Sequence, residues 1–176
     1  MNPWMRVSFC AMSAAALALG DPAFAQQAPP PPSCATEEFR RFDFWVGEWT
    51  VTNAAGDTIG TSRVSTVSRG CAVLEEWRDR SGGSGTSLNF WEPATRRWNQ
   101  LWVGGGGAIL RLEGDYSDGA MELSGKSPRQ MPAGAVLDKL RWTPAADGSV
   151  EQRWLISPDS GKTWREVFRG TYRKKP

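Results

Sequence analysis

The chain contains no histidine among its 176 residues, and that absence closes most familiar hydrolytic routes. Ser-His-Asp and Cys-His catalysis both need an imidazole to take the nucleophile's proton. Histidine-ligated zinc and haem held by a proximal histidine are excluded on the same ground. Cysteine is scarce too, with three residues, Cys10, Cys34 and Cys71. After residue 25 no apolar run approaches the roughly 20 residues of a membrane-spanning helix, because charge or glycine interrupts each within a few positions. Neither sign of charge dominates: 21 Lys and Arg stand against 19 Asp and Glu, a net charge of +2. The two signs are interspersed, so no electrostatic footprint for nucleic acid is present. The basic ending Arg173, Lys174, Lys175 is expected to be a solvated tail.

What is present begins with an export signal. Arg6 precedes an apolar run from Val7 to Leu19, and Ala23, Phe24 and Ala25 form an A-x-A cleavage site. Residues 1–25 are therefore expected to be removed. The mature protein would start at Gln26, without a transmembrane segment, as a soluble periplasmic or secreted chain. Removing those residues from 176 leaves 151, enough for one domain with a sizeable core. Cys10 leaves with the signal. Cys34 and Cys71 then meet an oxidising compartment, where an even count is read as a disulfide and the alternative is two buried thiols. Closing a loop of about 38 residues would stabilise the domain by roughly 3 to 4 kcal/mol on a chain-entropy argument.

Residues 26–33, with Pro29 to Pro32 consecutive, read as a stiff linker of polyproline character, and residues 34–176 as the domain. A short amphipathic turn over Thr36 to Arg41, capped by Thr36, is expected to precede the first strand. Beyond it the pattern has period two. Alternation and turn punctuation predict strands at Phe42–Asn53, Thr58–Ser68, Cys71–Arg80, Ser84–Trp91 and Arg97–Val103. Five more follow, at Ala108–Glu113, Ala120–Gly125, Val136–Thr143, Ser149–Ile156 and Thr163–Tyr172. The punctuation between them, such as Arg69-Gly70, Asp118-Gly119, Asp147-Gly148 and Ser160-Gly161, has hairpin chemistry. The one long connection, Lys126 to Ala135, contains Pro128, Pro132 and Gly134 and is expected to be a loop at the barrel mouth or edge. About ten short strands with no helix between them make an all-β antiparallel meander. Closure of that meander into a single up-and-down barrel removes its edges, with a two-sheet sandwich as the alternative.

Tryptophan is the conspicuous residue: ten in all, of which Trp4 leaves with the signal. Trp45 and Trp49 are expected to share a strand face, as are Trp98 and Trp102, with Gln100 between the latter pair. Trp91 shares a face with Asn89 and Ser87. Val73, Glu75 and Trp77 form another set, Gln152 and Trp154 another, and Trp164, Glu166 and Phe168 another. Amides and carboxylates among inward aromatics would need partners, and an aromatic wall with a few polar groups describes a ligand cavity. The ligand-binding candidates are Glu75, Trp77, Asn89, Trp91, Gln100, Trp102 and Trp154. Period two alone leaves open whether those faces point in or out.

The block Phe42-Asp43-Phe44-Trp45-Val46-Gly47-Glu48-Trp49 carries G-x-W at the start of the first predicted strand. It resembles the G-x-W signature of the calycin barrels, the lipocalin, fatty-acid-binding and streptavidin-like group. That resemblance implies a structural role for Gly47 and Trp49, the tryptophan closing one barrel end. Together with Gly70-Cys71, Glu75-Glu76-Trp77, Ser87 to Trp91 and Trp98 to Val103, the block also resembles an uncharacterised family of bacterial lipocalin-like proteins. The resemblance covers Cys34 to about Tyr172 and implies a fold but no settled activity. Arg96 stands where that pattern has glycine, in the turn before Trp98. Haem-binding nitrobindin-like barrels are similar in fold, but their axial histidine has no counterpart in this chain.

Ser157-Pro158-Asp159-Ser160-Gly161-Lys162-Thr163-Trp164 matches the S-x-D-x-G-x-T-W Asp-box of sialidases. A sialidase carries several such boxes on propeller blades and this chain has one, so mechanical work is expected. Asp159 would accept hydrogen bonds from its own turn, Gly161 would supply a permissive φ, and Trp164 would pack the hairpin. The glycines Gly104 to Gly107 are followed by neither lysine nor a helix start and read as a hairpin connection, not a phosphate cradle. Asp115 and Asp118 lack the further ligands of a calcium loop.

These observations point to an exported protein that binds a small apolar or aromatic molecule in the barrel, with no cofactor, metal or catalytic residue indicated. Two alternatives stand beside it. One is a barrel isomerase or lyase working through inward groups, for which Glu75, Glu113, Glu166 and Tyr172 are the candidates. The other is a structural or assembly factor of the envelope with a filled barrel.

Overall fold

Buried and exposed residues alternate along nearly every strand. On the fourth, Gly85, Ser87, Asn89 and Trp91 are buried while Thr86 and Leu88 are exposed. This alternation fixes one face of each strand to a common interior. The computed structural model describes residues 34–131 and 134–175. The signal and cleavage site expected over residues 1–25 and the linker over residues 26–33 lie outside the described residues.

A one-turn helix α1 (Glu37–Arg40) and a 3-10 turn (Asp43–Trp45) precede the strands. The strands are β1 (Gly47–Thr52), β2 (Thr58–Val67), β3 (Ala72–Asp79), β4 (Ser84–Glu92) and β5 (Arg97–Gly104). They continue as β6 (Ile109–Ser117), β7 (Ala120–Met131), β8 (Gly134–Pro144), β9 (Val150–Ser157) and β10 (Arg165–Lys174). Each strand pairs antiparallel with its sequence neighbours, and β1 pairs with β10, so the sheet is a closed ten-strand up-and-down barrel. A sandwich is excluded by that closure. Asp118 and Gly119, both at positive φ (51° and 73°), turn β6 into β7 as a twist-matched hairpin. Arg96 has φ 55°, which explains why glycine suits that turn; arginine occupies the left-handed region there at some cost.

Five expectations are corrected. The first strand starts at Gly47, not Phe42, because Asp43–Trp45 wind into a 3-10 turn, with Val46 N–H donating to Asp43 O at 3.0 Å. Trp45 and Trp49 therefore do not share a strand face, although both are fully buried. The expected loop Lys126 to Ala135 is instead the hairpin of β7 and β8, where pairing resumes at Gln130 opposite Ala135 after a register shift. Trp164, Glu166 and Phe168 do not form one face, because a bulge between Glu166 and Phe168 inserts one residue and reverses the side-chain direction. Finally, Arg173 and Lys174 belong to β10 and are no tail, Lys174 lying opposite Trp49.

The disulfide joins Cys34 to Cys71, with Cα atoms 4.9 Å apart. It ties the segment ahead of α1 to the corner that opens β3. Arg40 reinforces this junction, donating to the Gly70 carbonyl and pairing with Asp43 at 3.3 Å.

Candidate functional site

One end of the barrel is sealed by its own aromatics. Phe42 stacks on Trp45 at 5.0 Å and meets Trp98 and Trp142 edge-on at 5.6 and 5.2 Å. Trp49 donates its indole N–H to the Trp45 carbonyl at 2.9 Å. Gly47 at φ +154° starts the strand beneath them, and a Cβ there would sit 3.4 Å from the Trp49 ring. Gly47 and Trp49 lie at this plug with Phe42 and Trp45.

The other end is hollow. A cavity of about 370 Å³ opens there, within the size range of small-molecule pockets. Its walls are largely aromatic and aliphatic: Trp77, Trp102, Trp154 and Phe168, with Ile59, Leu110 and Leu140. Trp102 and Trp154 meet edge-on at 6.5 Å, and Trp77 and Phe168 at 6.1 Å. Glycine keeps these rings against the wall. A Cβ on Gly60 would fall 2.5 Å from the Trp77 ring, one on Gly85 or Gly104 within 2.7 Å of the Trp102 ring, and one on Gly170 2.8 Å from Phe168. With hydrogen in place of a side chain at these positions, on the neighbouring strand for Gly60 and Gly85 and two residues along the ring's own strand for Gly104 and Gly170, each ring can lie flat where it would otherwise be displaced.

Polar groups sit at the inner end of this space. Glu75 is 5% exposed and accepts hydrogen bonds from Ser62 Oγ at 3.0 Å and Ser87 Oγ at 3.1 Å. Burial pushes its carboxyl up from 4.5 to about 7, against the lowering effect of the two hydroxyls. Asn89 Nδ2 donates to the Val73 carbonyl at 3.1 Å and to Ser87 Oγ at 3.0 Å, and Gln100 Nε2 donates to Asn89 Oδ1 at 2.8 Å. Across the lumen, the Tyr172 hydroxyl donates to Gln152 Oε1. Burial, and then the nearby charge of Glu75, hold Tyr172 well above its usual pKa of 10. Trp154 donates its indole N–H to Asp138 Oδ1 at 2.8 Å, which fixes the ring's orientation. Asp79 and Ser81 stand at the mouth, and Asp79 Oδ1 accepts from the Ser81 and Gly83 backbone N–H groups.

Of the candidate ligand-binding residues, Glu75, Trp77, Gln100, Trp102 and Trp154 line the cavity. Asn89 and Trp91 also face the interior, but Asn89 lies fully buried and Trp91 packs in the core. Tyr172, expected only as an inward acid-base group, lines the cavity too, as do Gln152 and Phe168, which are not among the expected ligand-binding residues. The signal for Gln152 was its alternation with Trp154. Phe168 was hidden by the bulge.

The other carboxylates proposed for acid-base work are not inside. Glu113 and Glu166 are exposed, and Glu166 pairs with Arg153 at 2.6 Å. Among the described residues no group of three or more His, Cys, Asp or Glu is placed to hold a metal ion. The Asp-box segment is a turn between β9 and β10. Asp159 accepts from Thr163 N–H at 2.8 Å, Thr163 Oγ1 at 2.7 Å and Ser157 Oγ at 2.8 Å. Those bonds hold its carboxyl at about 2, the Thr163 amide contributing most. Gly161 takes φ +93°, and Trp164 lies under the Lys139 ammonium at 4.5 Å. No protein-family model matches the chain, and no curated protein matches its sequence.

Proposed function

We propose that this chain is an exported binding protein that holds a small molecule with an apolar or aromatic body in the open half of its barrel. The observation that carries the proposal is the cavity itself: about 370 Å³, lined by five aromatic side chains, with polar groups at its inner end and mouth. A filled structural barrel would have no reason to keep those rings on the wall. The disulfide fits an oxidising compartment, and no helix among the described residues is long and apolar enough to cross a membrane. A panel of small aromatics, lipids and sugars should contain a compound that shifts the tryptophan fluorescence and raises the melting temperature, since binding only the native state stabilises it by mass action. Trp102→Ala should abolish both responses. A panel that moves neither signal rejects the proposal.

A second reading, isomerase or lyase chemistry on the bound molecule, draws support from one observation. Glu75 is a buried carboxyl poised at about 7 inside the cavity, where a general acid or base works well. Turnover of a bound compound that is lost in Glu75→Gln while binding persists would favour it.

A further inference from the structure

The hydrogen-bond chain behind the cavity has a direction. The Val73 carbonyl only accepts, so Asn89 must turn its Nδ2 towards it, which presents Oδ1 to Gln100. Gln100 must then donate through Nε2. This leaves Gln100 Oε1 at the cavity wall with no hydrogen-bond partner, on a side chain only 3% exposed. A buried acceptor without a donor is costly unless something supplies one. Glu75, two strands away, is a second acceptor, and only neutral hydroxyls bond it. Among the described residues lining the cavity, two are carboxylates, Glu75 and Asp79, and none is a lysine or arginine. The Tyr172 proton is already donated to Gln152 Oε1, and the Gln152 amide NH2 brings two N–H donors. Apart from Ile59, Leu110 and Leu140, the remaining apolar surface is aromatic ring, which attracts positive charge on its face.

We propose that the occupant of the barrel is a small organic cation, a protonated amine on an aromatic or apolar body, whose N–H groups meet Glu75 and Gln100 while its body lies on Trp77, Trp102 and Trp154. The inference rests on the cavity being a ligand site, as argued above, and adds the chemical class of the ligand. The ammonium supplies the counter-charge that the buried carboxylate lacks and the donor that Gln100 lacks. Binding would draw the Glu75 proton off, so affinity should rise with pH through about 7. Asp79 and Tyr172, which also line the cavity, do not change charge in that window. Hydrogen bonds from Ser81 and Gly83 hold Asp79 below its ordinary 3.8, and Tyr172 stays neutral. Asp138 is engaged by Trp154, and Arg63, Glu76 and Arg78 of the neighbouring strands are exposed on the outer face.

The test compares 2-phenylethylamine, 2-phenylethanol and 3-phenylpropanoate by calorimetry on the disulfide-intact protein. These carry a cationic, a neutral and an anionic head on the same phenylethyl body. At pH 8 the amine should bind at least about tenfold more tightly than the alcohol, with the acid weakest. Glu75→Gln should remove most of the amine's advantage over the alcohol. In the unmutated protein, lowering the pH from 8 to 5 should weaken the amine alone, a result that needs no variant to fold. An alcohol that binds as well as the amine, or an amine indifferent to both pH and Glu75→Gln, overturns the cation assignment while the cavity remains a ligand site. If no member of the series binds, and neither does any compound of the wider panel, the ligand-site reading fails and the cation assignment with it.

Discussion

At the closed end of the barrel, Phe42, Trp45, Trp98 and Trp142 interlock ring against ring until none retains more than 1% exposure. At the open end Trp77, Trp102, Trp154 and Phe168 remain half-buried along the wall. The residue types are the same, and the difference lies in what faces each ring. Opposite the plug rings stand other rings. Against Trp77, Trp102 and Phe168 lie the glycines Gly60, Gly85, Gly104 and Gly170, from the neighbouring strand or from two residues along the same one. Aromatic residues thus fill one half of this barrel and line the other, and the choice is made by their smallest neighbours.

The contrast can be broken most directly by truncating one ring from each half. Trp98→Ala removes a packed ring and should destabilise by about 3 to 5 kcal/mol, as large-to-small changes in a core do. Trp102→Ala removes a ring that already borders empty space and should cost close to about 1 kcal/mol. Urea unfolding of the two variants measures the gap, and equal losses would mean that the open half is packed after all.

Next in size is the staple beside the plug. Cys34→Ser with Cys71→Ser should lower stability by roughly 3 to 4 kcal/mol on the chain-entropy argument. Because the bridge lies at the plug's entry and not at the mouth, fluorescence from the cavity tryptophans should be unchanged below the unfolding transition.

The third prediction sharpens the comparison through pH. Glu75 takes up a proton at about 7 in the folded chain but at 4.5 when unfolded, so between these values the folded state binds more protons. Its contribution therefore favours folding fully below pH 4.5 and is lost as pH rises through 7, a difference of about 3 kcal/mol. Glu75→Gln should flatten stability between pH 5 and 8 and be the more stable protein at pH 8. Denaturant midpoints at the two pH values test this, and a variant that keeps the slope assigns the titration to another group.

Much of this architecture could be read from residue order, because period two and turn chemistry are local. The strand faces through Glu75 and Trp77, through Gln100 and Trp102, and through Gln152 and Trp154 all point inward together, as alternation requires. What alternation cannot specify is where it stops. An extra residue between Glu166 and Phe168 reverses the face without any glycine or proline to mark it. In Asp43–Trp45 a dense run of aromatics satisfies a strand pattern and a 3-10 turn equally well, and the turn forms because its rings fill the barrel end. The hollow was present in the sequence as glycines in step with inward positions, Gly85 ahead of Ser87 and Gly104 after Trp102. Only the cross-strand register shows that Gly85 too lies against the Trp102 ring.

The barrel closes on a seam where β1 meets β10, from Trp49 opposite Lys174 to Thr52 opposite Thr171, with Lys175 N–H donating to the Glu48 carbonyl at 2.9 Å beyond it. For a chain made from its N-terminus, this pairing is the last available. β1 finds β2 at once, but its other edge stays open until nearly all the remaining residues have been synthesised, and closure across that sequence distance is slow. During that interval the nascent sheet presents an unpaired strand carrying Trp49 and Val51, a template for joining another copy. Loss of the final residues of β10 would therefore do more than shorten one strand. It would leave the molecule permanently in that unclosed condition, with two free edges and no sealed interior.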